Sequence, residues 1–187
     1  MSPILGIIAS AQQGALAVGD YESIATTTVG GGGAASVTFS SIPSTYTHLQ
    51  VRMIARTNRA AGVDPMALTL NSDTGNNYSW HDMYGDGSGV YAEAAASTSN
   101  VKFYRAAGST ATAGIFGAVV LDILDYQNSN KYKTIRYLGG IDQNGSGEMF
   151  FGSGLWMNSA ATTSITIAPF VGTLFSDYSS FALYGIK

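Results

Sequence analysis

The chain has 187 residues and a formal net charge of −3, and only 11% of its residues are charged, against roughly 25% in ordinary soluble domains. Its nine Lys and Arg are scattered and leave no basic footprint for a phosphate backbone, so a nucleic-acid partner is not expected. The absence of Cys excludes disulfides, thiolate chemistry and Cys-ligated zinc. The exterior must be built from Ser, Thr, Asn, Gly and Tyr, which suits a surface covered by partner subunits or used for contact.

Residues 1–19 carry Ile4, Leu5, Ile7 and Ile8 but are punctuated by Pro3, Gly6, Gly14 and Gly19, a pattern of an irregular apolar arm rather than a helix. No Lys or Arg precedes the short Ile4–Ala9 stretch, which argues against a secretory signal. No run approaches the ~20 apolar residues that span a bilayer, so no membrane insertion is expected.

Beyond the arm, short runs rich in β-branched and aromatic residues alternate with turn chemistry. Tyr21–Val29 and Ala35–Ser40 read as two strands of a hairpin around the Gly30–Gly33 run. In His48–Thr57, Leu49, Val51, Met53 and Ala55 lie on one face, the mark of a half-buried strand. Met66–Leu70 is next, then the turn-forming Asn71–Asn77, then the strand Tyr78–Tyr84. Gly85–Asn100, low in complexity, is expected to be a long surface loop with a helical turn around Glu93.

Val101–Arg105 is a short strand, and Ile115–Tyr126, the most apolar segment, is expected to be central. The polar turn Gln127–Asn130 joins it to Tyr132–Leu138, and Asp142–Gly145 repeats the device before Glu148–Met157. Ser164–Pro169, with Ile165 and Ile167 on one face, and Ser180–Ile186, with Phe181 and Leu183 on one face, complete about eleven strands. The predicted fold is all-β, an antiparallel, jelly-roll-like β-sandwich of residues 20–187 preceded by the arm.

The inventory for chemistry is sparse: two His, no Cys, and acidic residues mostly in or beside turns. Ser88, Ser146 and Ser153 sit in Gly-Ser-Gly triplets that lack the spacing of a nucleophile elbow. The Gly30–Gly33 run opens no helix and makes no dinucleotide fingerprint. Trp80, His81, Asp82, Tyr84 and Asp86 are the richest local set, but strand alternation puts His81 on the face opposite Trp80, Asp82 and Tyr84. His48 has no carboxylate near it in sequence.

Asn71, Asp73 and Asn77 with Gly75 offer spaced oxygens, as loop calcium sites do, yet no bidentate Glu follows and ordinary Asx turns use the same residues. Trp80 and Trp156 are of a type that stacks on sugar rings or, more commonly, packs inside a sandwich. A glycan-hydrolysing pair would have to be Asp122 with Asp125 or Glu148, and nothing in their spacing marks them out. No catalytic, cofactor-binding or metal-binding residue is assigned, and no cofactor is expected.

Five segments carry a family resemblance: Met1–Ser10, Phe39–Gln50, Asn77–His81, the Asp125-Tyr126 to Lys133-Thr134 hairpin and Tyr178–Ile186. Together they resemble a family of tailed-bacteriophage virion structural proteins, described as minor tail proteins where described at all. The resemblance spans nearly the whole chain and implies a place in the virion without transferring any active-site residue. It implies a non-enzymatic particle-surface protein, a tail or fibre component acting in host attachment, with a capsid decoration or head-fibre protein as the alternative. The expected partners are other virion proteins reached through the arm, further copies of the chain, and a host surface glycan.

Overall fold

The computed structural model describes residues 19–187, so the arm expected over residues 1–19 lies, except for Gly19, outside the described residues. Twelve strands follow in order: β1 (Tyr21–Thr28), β2 (Val37–Phe39), β3 (His48–Ala55), β4 (Val63–Leu70), β5 (Tyr78–Gly85), β6 (Val90–Thr98), β7 (Val101–Ala107), β8 (Gly117–Leu124), β9 (Lys133–Asp142), β10 (Gly147–Trp156), β11 (Ile165–Pro169) and β12 (Ser180–Ile186). They form two antiparallel sheets packed together, one of eight strands in the order β1-β12-β3-β8-β9-β10-β5-β6 and one of four in the order β2-β11-β4-β7.

The core forms where period-two alternation turns apolar residues of both sheets toward each other. Leu49, Val51, Leu121, Ile123, Phe181 and Leu183 of the larger sheet meet Met66, Leu68, Leu70, Phe103, Ile165 and Ile167 of the smaller, all fully buried. Each contributes about 1.5–3 kcal/mol by leaving water. The large sheet overhangs the small one at both margins, because its edge strands β1 and β6 contain no fully buried residue.

Most expected strands stand near their predicted bounds, and β8 is central as expected, fourth in the sheet of eight. Two expectations are corrected. Tyr21–Val29 and Ala35–Ser40 do not pair: β1 pairs with β12 in the large sheet, and β2 pairs with β11 in the small one. The Gly30–Gly33 run is a crossover between layers, with the Gly33 amide donating to Asp177 Oδ1 at 3.1 Å. Gly85–Asn100 is not a loop, since β6 occupies most of it and pairs with β5 from Gly85↔Val90 to Tyr78↔Thr98.

One buried charge fastens the end of the large sheet. Lys133, at the start of β9, is fully buried and donates from Nζ to the carbonyls of Asn128 (2.5 Å), Lys131 (3.0 Å) and Ser159 (3.0 Å). Burial holds its pKa below the ordinary lysine value. Three donors meeting three acceptors satisfy the ammonium and tie the β8–β9 turn to the segment after β10. Lys133→Met leaves those carbonyls without this donor and is expected to destabilise the fold by about 2–4 kcal/mol. Urea unfolding measures this, and a loss below about 0.5 kcal/mol, the scatter of ordinary surface changes, would count against the role.

Candidate functional site

The residues that alternate with the core line the outer face of the large sheet. Register is continuous from β12 to β5, and the shifts at Ser23/Ala25 in β1 and Tyr78/Ser79 in β5 lie outside the outward residues concerned, so these fall into rows that cross the strands from β3 to β6. From β3 to β6 the first row reads Arg52, Val120, Leu138, Phe151, Met83, Ala92. Its neighbour reads Ile54, Ala118, Gly140, Met149, Gly85, Val90. Ile54, Leu138, Met149, Phe151 and Val90 are each more than half exposed. A shallow groove of about 560 Å³ crosses the face between Arg52, Ile54, Val120 and Leu138, over Ala118 and Gly140.

A third row, on the other side of the first, is polar: Gln50, Asp122, Arg136, Ser153, His81, Ala94. Asp122 accepts from Gln50 Nε2 at 2.8 Å and from Arg136 Nε at 2.9 Å, and Gln50 Oε1 accepts from Arg52 Nε at 2.9 Å and from the Tyr21 hydroxyl at 2.8 Å. Arg52 lies over the rings of Tyr21 (5.2 Å) and Tyr184 (5.6 Å). These bonds fix the border between a polar strip and two apolar rows.

A second constellation lies between the sheets, where β7 runs beneath β5, β9 and β10. The Tyr137 hydroxyl donates to Asp82 Oδ1, while Asp82 Oδ2 is buried without a hydrogen-bond partner. Burial pushes the Asp82 carboxyl up to about 6, against the smaller opposing effects of the Tyr137 hydrogen bond and of Lys102. Burial would also raise Glu93, but Lys102 Nζ at 2.8 Å and the Tyr104 hydroxyl hold it below the usual range. Burial raises Tyr104 and Tyr137, and the neighbouring carboxylates add to it.

Arg105 grips Glu148 with two nitrogens, Nη1 to Oε1 at 2.6 Å and Nε to Oε2. Burial nevertheless raises the Glu148 pKa. Arg105 also lies over Tyr104 (4.4 Å) and Tyr84 (4.7 Å), and Lys102 Nζ over Trp80 (4.8 Å). Gly152 leaves room for this cluster, because a Cβ there would come within 2.6 Å of both the His81 carbonyl and the Tyr137 ring. Asp82 Oδ2 is buried with neither a hydrogen bond nor an ion-pair partner, while the pairs Lys102–Glu93 and Arg105–Glu148 tie β7 of the small sheet to β6 and β10 of the large one.

No family model, characterised protein or solved structure matches this chain. The remaining residues singled out from sequence are dispersed. His81 is exposed on the outer face. His48 gains a carboxylate neighbour invisible in sequence: Asp125 Oδ1 lies 3.6 Å from its Nδ1, which accepts the Asp125 amide at 2.9 Å. Lys131 pairs with the same carboxylate and holds its pKa below the usual range.

Asp122 faces outward while Glu148 shares the inward face of Phe150, and the strand register puts them roughly 17 Å apart along the strand direction, so they form no hydrolytic pair. Asn71 spends its side chain on Ala161, Thr163 and Ser164. Asp73 spends its own on Gly75, Asn77 and the Trp156 indole. These oxygens make turns rather than a convergent cation site, and among the described residues no three of His, Asp and Glu cluster as metal ligands. Trp80 and Trp156 are buried and unavailable for stacking on a sugar. Sequence reasoning missed Leu138 and Phe151, although apolar residues at both parities in Tyr137-Leu138 and Phe150-Phe151 signal a strand apolar on both faces.

The Asp82 pKa makes a signed prediction. The folded chain keeps the Asp82 proton to about pH 6, whereas an unfolded Asp releases it near its ordinary value of 3.8. The folded state therefore binds more protons in that window, and the Asp82 contribution to stability falls as pH rises through it, by about 3 kcal/mol in all. Asp82→Asn, which mimics the protonated acid, is expected to be more stable than the parent at pH 7 by up to that amount and to lose the advantage below pH ~4. Urea unfolding across pH 4–8 tests it; a constant difference between parent and variant would refute it.

Proposed function

We propose that the chain is a non-enzymatic structural component of a tailed-bacteriophage particle, a tail or fibre protein at the virion surface that acts in host attachment. The observation that carries the reading is the outer face of the large sheet. Its two adjacent rows, apolar apart from Arg52, cover about 400 Å² in projection over six strands, the size of the largest and often functional patch on a single domain. The resemblance to virion structural proteins supplies the setting, and the low charge fits copies held at high local density, where weak contacts gain by multivalency. The dispersed, individually paired carboxylates favour a contact role over a reaction. Residues 1–19 are the anchor to other virion proteins in this reading.

Gold-labelled antibody against the chain is expected to decorate tails of intact particles. Label spread over the capsid would move the protein to the alternative role of shell decoration, and unlabelled particles would overturn the virion reading. Deleting residues 1–19 is expected to reduce incorporation into particles at least tenfold, by removing interactions worth about 1.4 kcal/mol or more, while the isolated protein keeps its melting transition.

A further inference from the structure

We infer that two copies of this chain pair through the outer faces of their eight-stranded sheets, about a two-fold axis lying over the line Met53–Val119–Gly139–Phe150. This line is itself a register row, and it separates the two apolar rows. The inference rests on the outer face being a contact surface and names its occupant.

A two-fold axis along that line turns the first row of one copy over the second row of the other. Large residues then meet small ones at four of the six strands, Val90 over Ala92 at β6 among them, while at β3 Arg52 comes over Ile54. Leu138 lies over Gly140 of the second copy, Val120 over Ala118 and Met83 over Gly85, each pair coming from one strand two residues apart. At β10 the same operation brings Phe151 over Met149, an apolar pair. The groove over Ala118 and Gly140 thus receives the ridge of Val120 and Leu138.

The charges agree with the same axis. Arg136, outward in the polar row, is carried over Asp142 of the second copy, because both flank Gly139 on β9 by three residues. Both are exposed in the single chain. Opposed pairing of Arg136 with Asp142 occurs twice in the dimer, by symmetry.

The available area suffices. Eight strands about 4.8 Å apart and four outward rows about 6.8 Å apart give roughly 1,000 Å² per copy, against about 800 Å² per partner in a standard stable interface. Two sheets so placed pack about 10 Å apart with nearly aligned strands, the ordinary geometry of a β-sandwich interface. A partner of unrelated shape has no reason to match large against small and plus against minus about one internal axis.

Sedimentation of the full chain tests the pairing. The parent is expected to be a dimer at roughly 10 μM, and Leu138→Asp, at a residue exposed in the single chain, to weaken association by roughly 30-fold or more with an unchanged thermal transition. Arg136→Asp and Asp142→Arg are each expected to weaken it about tenfold. An equimolar mixture of these two variants is expected to recover the parent affinity as a heterodimer, which a merely local role in the Asp122 network would not produce.

A parent chain still monomeric at about 100 μM, a dimer indifferent to Leu138→Asp, or a mixture without recovery overturns the inference. Dimerisation that appears only after removal of residues 1–18 overturns it too, by assigning the face to the chain's own arm. None of these results depends on where the protein sits in a particle, so the virion reading stands or falls separately.

Discussion

The architecture turns on a mismatch of widths: eight hydrogen-bonded strands on one side, four on the other. A sheet satisfies its backbone only edgewise, so each added strand brings two faces that need a fate. Where the small sheet covers the large one, aliphatic and aromatic side chains fill the space as a dry core. Where the cover ends, under β5 and β6, Glu93 of the large sheet meets Lys102 and Tyr104 of the small one, and Arg105 rests on Tyr104. The far side of the large sheet has no cover within the described residues, and there apolar side chains stand in rows.

The covered margin shows how a polar cluster is tolerated at low dielectric. Nearly every donor and acceptor in it is matched, and cations also rest on aromatic faces, which lessens the cost of their lost hydration. Arg105 Nε and Glu148 Oε2 make no hydrogen bond but pair with each other, and Asp82 has neither compensation. Its second oxygen has no partner, and the free energy that this costs appears as a carboxyl that keeps its proton well above the usual range. Glycine at position 152 is what lets Asp82 and Tyr137 approach, so the smallest residue of β10 sets the chemistry of its neighbours.

Alternation along single strands was legible in the sequence. Leu49, Val51, Ile165, Ile167, Phe181 and Leu183 announce which way they point, and tight turns such as Asn128 announce adjacent hairpins. Pairing between distant strands was not legible. The Gly30–Gly33 run looks like a hairpin tip, but β1 and β2 each prefer a partner from the last two strands. The Ala-rich middle of β6 lacks intrinsic strand preference and owes its conformation to the edge that β5 offers. His48 with Asp125, and the rows across the outer face, depend on register among separate strands, which no local spacing encodes.

That pattern of long-range pairing has a consequence for how the chain reaches its native state. In each sheet the first strand is attached only through one of the last two, with β12 lying between β1 and β3, and β11 between β2 and β4. Until residues 165–186 are present, β1 and β2 have no strand to pair with, and the central hairpins β8–β9–β10 are the largest locally closed unit. Residues 165–186 must therefore emerge before either layer can close. The β1 segment waits longest, with its pairing edge open until Ser180–Ile186 emerges. High contact order of this kind slows folding, and it makes the C-terminal two strands the keystone of the first two.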